Sequence, residues 1–354
     1  MIQTILRPPG MVRALRTASQ RPAWLLMCLL CLSIWAAATQ GAVSMTSGDW
    51  LAILQTSDTP LSGGAYVLWH LRLPRIGFAV MIGAALALSG ALTQGLFRNP
   101  LADPGLLGVT SGAACAAALT IVLLAGSGID VPPVLRYWLL PVTAFAGAVG
   151  VCFVLDSVAR WLTADSIAGL LLTGIALNAL AAAVIGLCTY LATDEQLRSL
   201  TFWTLGSLAG ANWFLVTTLL AALILALWAL HRLTHAMNAL ALGEAAAAHV
   251  GVNVRRLRVR VIALVALLCG FAVAWCGMIG FIGLVAPHMV RLMVGPDQRR
   301  LAPLAMLVGA LLLLLADTAA RTVAIPAEIP VGIFTALLGA PFFLVLLVRM
   351  RKGR

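Results

Sequence analysis

Residues 71–112 read LRLPRIGFAVMIGAALALSGALTQGLFRNPLADPGLLGVTSG, a string with few ways to fold. From Ile76 to Phe97 every residue is apolar or small except Gln94. A helix rises about 1.5 Å per residue, so about twenty such residues cover the ~30 Å hydrocarbon core of a bilayer. A polar turn follows at Arg98–Asp103, where Pro100 and Pro104 forbid a continuous helix, and a second apolar stretch begins at Gly105. The sequence predicts a helical hairpin across a membrane.

The rest of the chain repeats the pattern. Of its 354 residues 62% are hydrophobic and 10% charged, whereas soluble domains carry roughly 25% charged residues. Apolar spans are expected at 22–43, 76–97, 106–126, 138–155, 167–192, 213–230, 259–275, 278–294, 301–316 and 331–348. The fold class is therefore an all-α polytopic membrane protein of about ten transmembrane helices. One transmembrane domain covers 22–349, between basic tails at 1–21 and 350–354. A β-barrel would need alternating segments about half as long.

The net charge of +11 suggests nucleic acid, but its placement argues for topology. With the first span entering from the cytoplasm, every Lys and Arg falls inside except Arg72, Arg75, Arg136, Arg198 and Arg321. That positive-inside asymmetry puts both termini in the cytoplasm. The basic start, the apolar run from Trp24 and the Ala36–Ala38 cluster mimic a signal peptide. The run reaches Val43, however, longer than a signal's apolar region, and reads as a retained helix.

Between the spans, 44–70 is a long outer loop in which SGDWLAILQ predicts a short helix capped by Ser47 or Asp49. Gly126–Gly128 with Pro132–Pro133 marks an outer turn; 194–211 holds an interfacial helix, and another outer helix lies near 319–327. The longest inner loop is 231–258. Span 2 with NPLADP and span 8 with APHMVRLMVGPD echo one another as glycine-rich helices ending in proline-marked inner turns, as transporter halves do. Gly83–Ala87–Ala91, Gly206–Gly210 and Gly277–Gly280–Gly283 have the spacing of close helix contacts. Trp24, Trp69, Trp138, Trp161, Trp203 and Trp213 fit an interfacial belt.

Candidate chemistry is mostly negative. Lys352 is the only lysine, so the chain has no Gly-Lys-Ser/Thr phosphate loop. Nearly all carboxylates map to loops or span ends, which disfavours a proton- or sodium-driven carrier. All seven cysteines lie in apolar spans or, for Cys276, at the end of one. Cys28 and Cys31 have CxxC spacing but no second pair, so no metal site is expected. The five histidines do not cluster in sequence. His70 lies beside Arg72 at the outer mouth, where it faces ligand or the interface; His288 belongs to an Ala-Pro-His turn.

LRLPR, SGALTQGLFRNPLADP and LLGVTSGA, followed by GEAAAAHVGV at 243–252, GFIGLVAPHMVR at 280–291 and LLADTAARTVAIPAEIPVGIFTALLGAPFFLVLL at 314–347, closely resemble one family. It is the membrane permease of binding-protein-dependent ABC importers for iron siderophores, haem and cobalamin. The resemblance implies a homodimer with the pathway between two copies, two ATPase subunits and one periplasmic binding protein. It implies that Arg72, Arg75 and Arg321 meet acidic residues of the binding protein, for which a guanidinium offers a directional fork. The alternatives are interfacial anchoring or, for Arg321, pairing with Asp317 one turn earlier. It implies that Gly243, Glu244, Ala247, His249 and Gly251 belong to a coupling segment seated on the ATPase; the alternative is a solvated loop. Asn99 and Leu101 match a cytoplasmic gate, with a plain turn or helix cap as the alternative. A second constriction in the family has no clean match at 163–168.

The expectation is a haem importer permease of the bacterial inner membrane, with ferric siderophore or cobalamin as alternative substrates and an ion-coupled carrier as the competing class. The chain itself would do no covalent chemistry and hold no cofactor, ATP and Mg being bound by the partner ATPase. Membrane lipid is its surroundings; nucleic acid is not a partner.

Overall fold

A computed structural model describes residues 9–41, 43–52, 62–124, 132–163 and 166–352. The Gly126–Gly128 turn, Asp165 and the ends of both basic tails lie outside the described residues. The regular elements among the described residues are all helices: α1 Pro9–Thr39, α2 Ser47–Leu51, α3 Gly63–Tyr66, α4 Leu73–Leu96, α5 Val109–Leu119, α6 Pro133–Thr163 and α7 Ile167–Leu191. Then come α8 Asp194–Leu205, α9 Trp213–Leu240, α10 Glu244–His249, α11 Val254–Cys276, α12 Ile282–Val294, α13 Gln298–Thr322 and α14 Val331–Lys352. Among the described residues seven helices are long and apolar enough to cross a membrane, and shorter apolar helices lie at 109–123, 282–294 and 331–345. The ends that the charge asymmetry places inside and outside are called inner and outer below.

The hub is α4. In the stretch α3–α4, 83% of the most apolar window is buried, against 22% for α6 and for α7. Its small residues are the reason. Gly83 lies on the backbone of Gly309 in α13, and Gly90 on the Gly283 carbonyl of α12, each closer than any side chain allows. Pro287 has no N–H to bond the carbonyl four residues back, which leaves the Gly283 oxygen free to face Gly90. Gly277 packs on Trp203 and Gly206, but Gly210 and Gly280 face open space, so only part of the expected glycine spacing marks contacts.

Several boundaries differ from the expected ones. α4 does not begin after a loop: Val67–Arg72 forms a π-helical turn that runs into it, and the Leu73 N–H reaches back to the Leu68 carbonyl. That wider turn makes room for the ring of Pro74. α9 continues ten residues past the expected Leu230, because Leu233, Met237 and Leu240 prolong its buried face. The inner loop therefore shrinks to α10 and its flanks. The outer helix expected near 319–327 is the end of α13 followed by a non-helical segment. Pro287 and His288 sit within α12 rather than in a turn, and the His288 ring packs edge-on to Phe342 at 6.4 Å.

The largest departure follows α4. The segment after Asn99 does not stay at the inner surface. Pro104 lies beside Gly283, which itself touches the Leu86 carbonyl, ten residues and ~15 Å back up α4. Residues 99–108 thus climb back to membrane depth before α5 begins, which is why α5 is short. Asp103 caps this turn by accepting from the Gly105 N–H at 2.7 Å. It lines a hollow of about 510 Å³ with Thr110, Thr204, Met278 and Leu337. Irregular backbone at such depth requires burial in protein or a lined cavity, and both are present here. Asp103 is thus a half-buried carboxylate facing this hollow, contrary to its expected place in an inner loop.

Candidate functional site

The outer end is built on three arginines delivered by two helices. Arg72 and Arg75 come from the α3–α4 junction and Arg321 from the last turn of α13. The three meet around a hollow of about 300 Å³ that also touches Gly41, Ala209 and Glu328. Arg72 is buried and donates to the Ala38 carbonyl at 2.8 Å and the Val43 carbonyl at 3.0 Å. Arg321 donates to Ala37 at 2.7 Å and Gln40 at 3.3 Å. Together they satisfy the Ala37 and Ala38 carbonyls in the last turn of α1, and those of Gln40 and Val43 just beyond it.

Arg75 is held differently. Its Nε and Nη2 donate to Asp317 at 3.0 and 2.9 Å, and its Nη1 to both Glu328 oxygens at 3.0 and 2.8 Å. Asp317 is fully buried and also pairs with Arg321 at 3.5 Å, the contact expected one turn along α13. Sequence reasoning missed Glu328 and the Arg75–Asp317 pair. The available signal was a carboxylate within an apolar helix, which demands a cationic partner.

Around this cluster, Asp49 joins the outer loop. Thr46 donates to Asp49 Oδ2 through its N–H and hydroxyl, both at 2.8 Å, and the Ser62 hydroxyl donates to Oδ1 at 2.6 Å. Thr46 therefore precedes α2 as its cap, rather than Ser47 or Asp49. The Ser62 hydroxyl, with the Thr46 donors, holds the Asp49 carboxyl below the usual carboxylate range. His70 is exposed and stacks on Tyr66, ring centroids 4.7 Å apart.

At the inner end, Arg98 takes φ +51° and turns the chain out of α4. The Asn99 N–H donates to the Gln94 carbonyl at 3.1 Å, and its side chain accepts from the Leu101 N–H at 2.9 Å. Asn99 thus organises the turn ahead of it and caps no following α-helix; Leu101 is half-buried. The turn lies close to the segment that carries α10: a methyl group added to Gly243 would lie 3.7 Å from Arg98 Nη1.

Gly243 opens α10 at φ +114°, a conformation that favours glycine, and Gly251 closes it at φ +82°. Ala247 is fully buried, Glu244 faces the buried Arg258 at 3.9 Å, and His249 Nδ1 contacts the Ala245 carbonyl at 2.7 Å. The Glu244–Arg258 pair ties the segment to α11, the His249 contact lies within α10, and α10 also packs against α9. These contacts leave Leu242 80% and Val250 71% exposed. Both side chains lie outside the helices long enough to cross a membrane. Among the described residues no group of three His, Cys, Asp or Glu is placed to hold a metal.

The chain is 45% identical over 333 residues to the hemin transport system permease protein HmuU of Yersinia pestis, covering 93% of this chain and 96% of that protein. It is 41% identical to the vitamin B12 import system permease protein BtuC of Yersinia enterocolitica, over 88% and 89% of the two chains. A solved metal-chelate-type ABC transporter in an inward-facing conformation superposes with a TM-score of 0.78 at 34% identity, covering 92% of this chain and 98% of that one. The profile of the FecCD transport family matches residues 25–349. On this coverage the chain belongs to the FecCD transport family, as a multi-pass membrane permease.

Proposed function

We propose that this chain is the permease subunit of an ATP-driven importer that moves haem from a periplasmic binding protein across the bacterial inner membrane. It works as a homodimer of about ten spans per copy, with two ATPase subunits and both termini cytoplasmic. Haem is chosen because the likeness to the haemin permease spans 93% of the chain at 45% identity. The 41% likeness to a vitamin B12 permease keeps cobalamin as the alternative substrate, beside ferric siderophores.

The two ends fit this division of labour. The arginine cluster receives acidic groups of the binding protein outside. The exposed Leu242 and Val250, on a segment braced by Ala247 and Glu244, seat on the ATPase inside. Arg98, which leads into the Asn99–Leu101 turn that serves as the cytoplasmic gate, lies close to Gly243 of that segment. ATP and Mg belong to the partner, since the chain carries no phosphate loop.

The test is uptake into proteoliposomes holding this chain, its ATPase and its binding protein, with haem, a ferric siderophore and cobalamin offered separately. ATP-dependent haem accumulation is expected. Uptake of another ligand instead corrects the substrate, and uptake by this chain alone down a proton gradient overturns the importer reading.

A further inference from the structure

Three guanidiniums and the Glu328 carboxylate line the outer hollow, Asp317 is buried behind them, and the exposures of the two carboxylates are unequal. The side chain of Asp317 is 0% exposed, that of Glu328 48%. Arg72 and Arg321 spend donors on the carbonyls of Ala38, Val43, Ala37 and Gln40. Arg75 has a buried edge on Asp317 and an outer nitrogen, Nη1, on Glu328. An exposed ion pair contributes little and exchanges readily, whereas a buried one leaves an uncompensated charge when broken. An arriving carboxylate therefore finds one exchangeable position in this cluster, and Glu328 already fills it.

We propose that Glu328 is an internal stand-in for the acidic group through which the binding protein docks, held on Arg75 in the undocked chain and displaced on docking. This rests on the docking reading of the arginine cluster. Displacement leaves the buried Asp317 in place, so Arg75 stays aimed while its outer nitrogen changes partner. The stand-in lowers docking affinity, because each docking event must break the Glu328 contact, and so keeps the complex releasable. Its position also ties docking to the helix lining the larger hollow. Glu328 lies in the segment joining α13 to α14, where the Ile329 N–H is bonded to the Ala320 carbonyl at 3.1 Å. α14 begins three residues on and contributes Gly332, Ile333 and Leu337 to the wall around Asp103.

The experiment measures binding of the haem-loaded periplasmic binding protein to the permease–ATPase complex in lipid nanodiscs, at low and high salt. Glu328→Gln, at a half-exposed position and without loss of the buried pair, is expected to tighten the Kd about three- to tenfold and to steepen its salt dependence. Arg75→Gln, with its melting temperature checked, is expected to weaken docking. If Arg75→Gln weakens docking while Glu328→Gln leaves the Kd unchanged or weaker, the stand-in is overturned and the docking reading survives. If Arg75→Gln, still folded, docks as wild type, the docking reading fails and the stand-in with it.

Discussion

Asp317→Asn is the sharpest perturbation of the outer cluster. The substitution keeps the shape of a side chain that is fully buried and removes the only buried carboxylate facing Arg75 and Arg321, whose side chains are 13% and 9% exposed. Glu328 remains on Arg75 but is half in solvent, so it compensates one guanidinium weakly and Arg321 hardly at all. Removing one partner of a buried pair costs about 3–5 kcal/mol. At about 2 °C per kcal/mol for a chain of this size, the apparent melting temperature should fall by about 6–10 °C. The loss should be local first. Arg321 also holds the Ala37 and Gln40 carbonyls, so hydrogen exchange should quicken at the end of α1 before the rest of the bundle. The assay is a melt of the detergent-solubilised protein together with exchange mass spectrometry. A variant melting within about 2 °C of wild type, with the end of α1 unchanged, would refute the view that this pair organises the outer end. The same argument makes charge reversal at Arg72 or Arg321 a poor docking test, since either would first release α1.

Three further outcomes follow. Gly90→Leu puts a side chain on the Gly283 backbone, which cannot yield, and should abolish folded protein on size exclusion, whereas Gly210→Ala, facing open space, should behave as wild type. Leu242→Ser with Val250→Ser should leave the melt unchanged yet reduce co-purification of the ATPase at least about tenfold, as loss of an apolar seat does. The Asp49 contacts should be pH-dependent with a definite sign. Its folded-state pKa is depressed, so the stabilisation is present above the unfolded value near 4 and is lost as pH falls through the lower folded value. Exchange at 46–52 and 62–69 should rise in that acid window and become independent of pH there in Asp49→Asn.

Much of the fold was legible because hydropathy is a local sum. Each apolar stretch coincides with an apolar helix, and Gly83, Gly277 and Gly283 pointed to close contacts, whereas Gly210 and Gly280 did not. Helix ends were less legible. Leu233, Met237 and Leu240 carry α9 beyond its apolar run because burial against protein, not lipid, prolongs it. Of the candidate sites, Gly243 and Gly251 reveal their turns in residue type alone, while nothing local to LRLPR tells which carboxylate Arg75 will find.

The sequence by itself determined that the chain is a bundle of membrane helices. Apolar stretches long enough to cross a bilayer must satisfy their backbone internally. Only the tertiary structure decided that α4 is the hub, that residues 99–108 return to membrane depth, and that Arg75 joins Asp317 across 242 positions of chain. Those outcomes depend on which backbones can approach each other and which buried charge finds a partner. Both are properties of pairs distant in sequence, settled when glycine lets helices touch and a desolvated guanidinium must be answered.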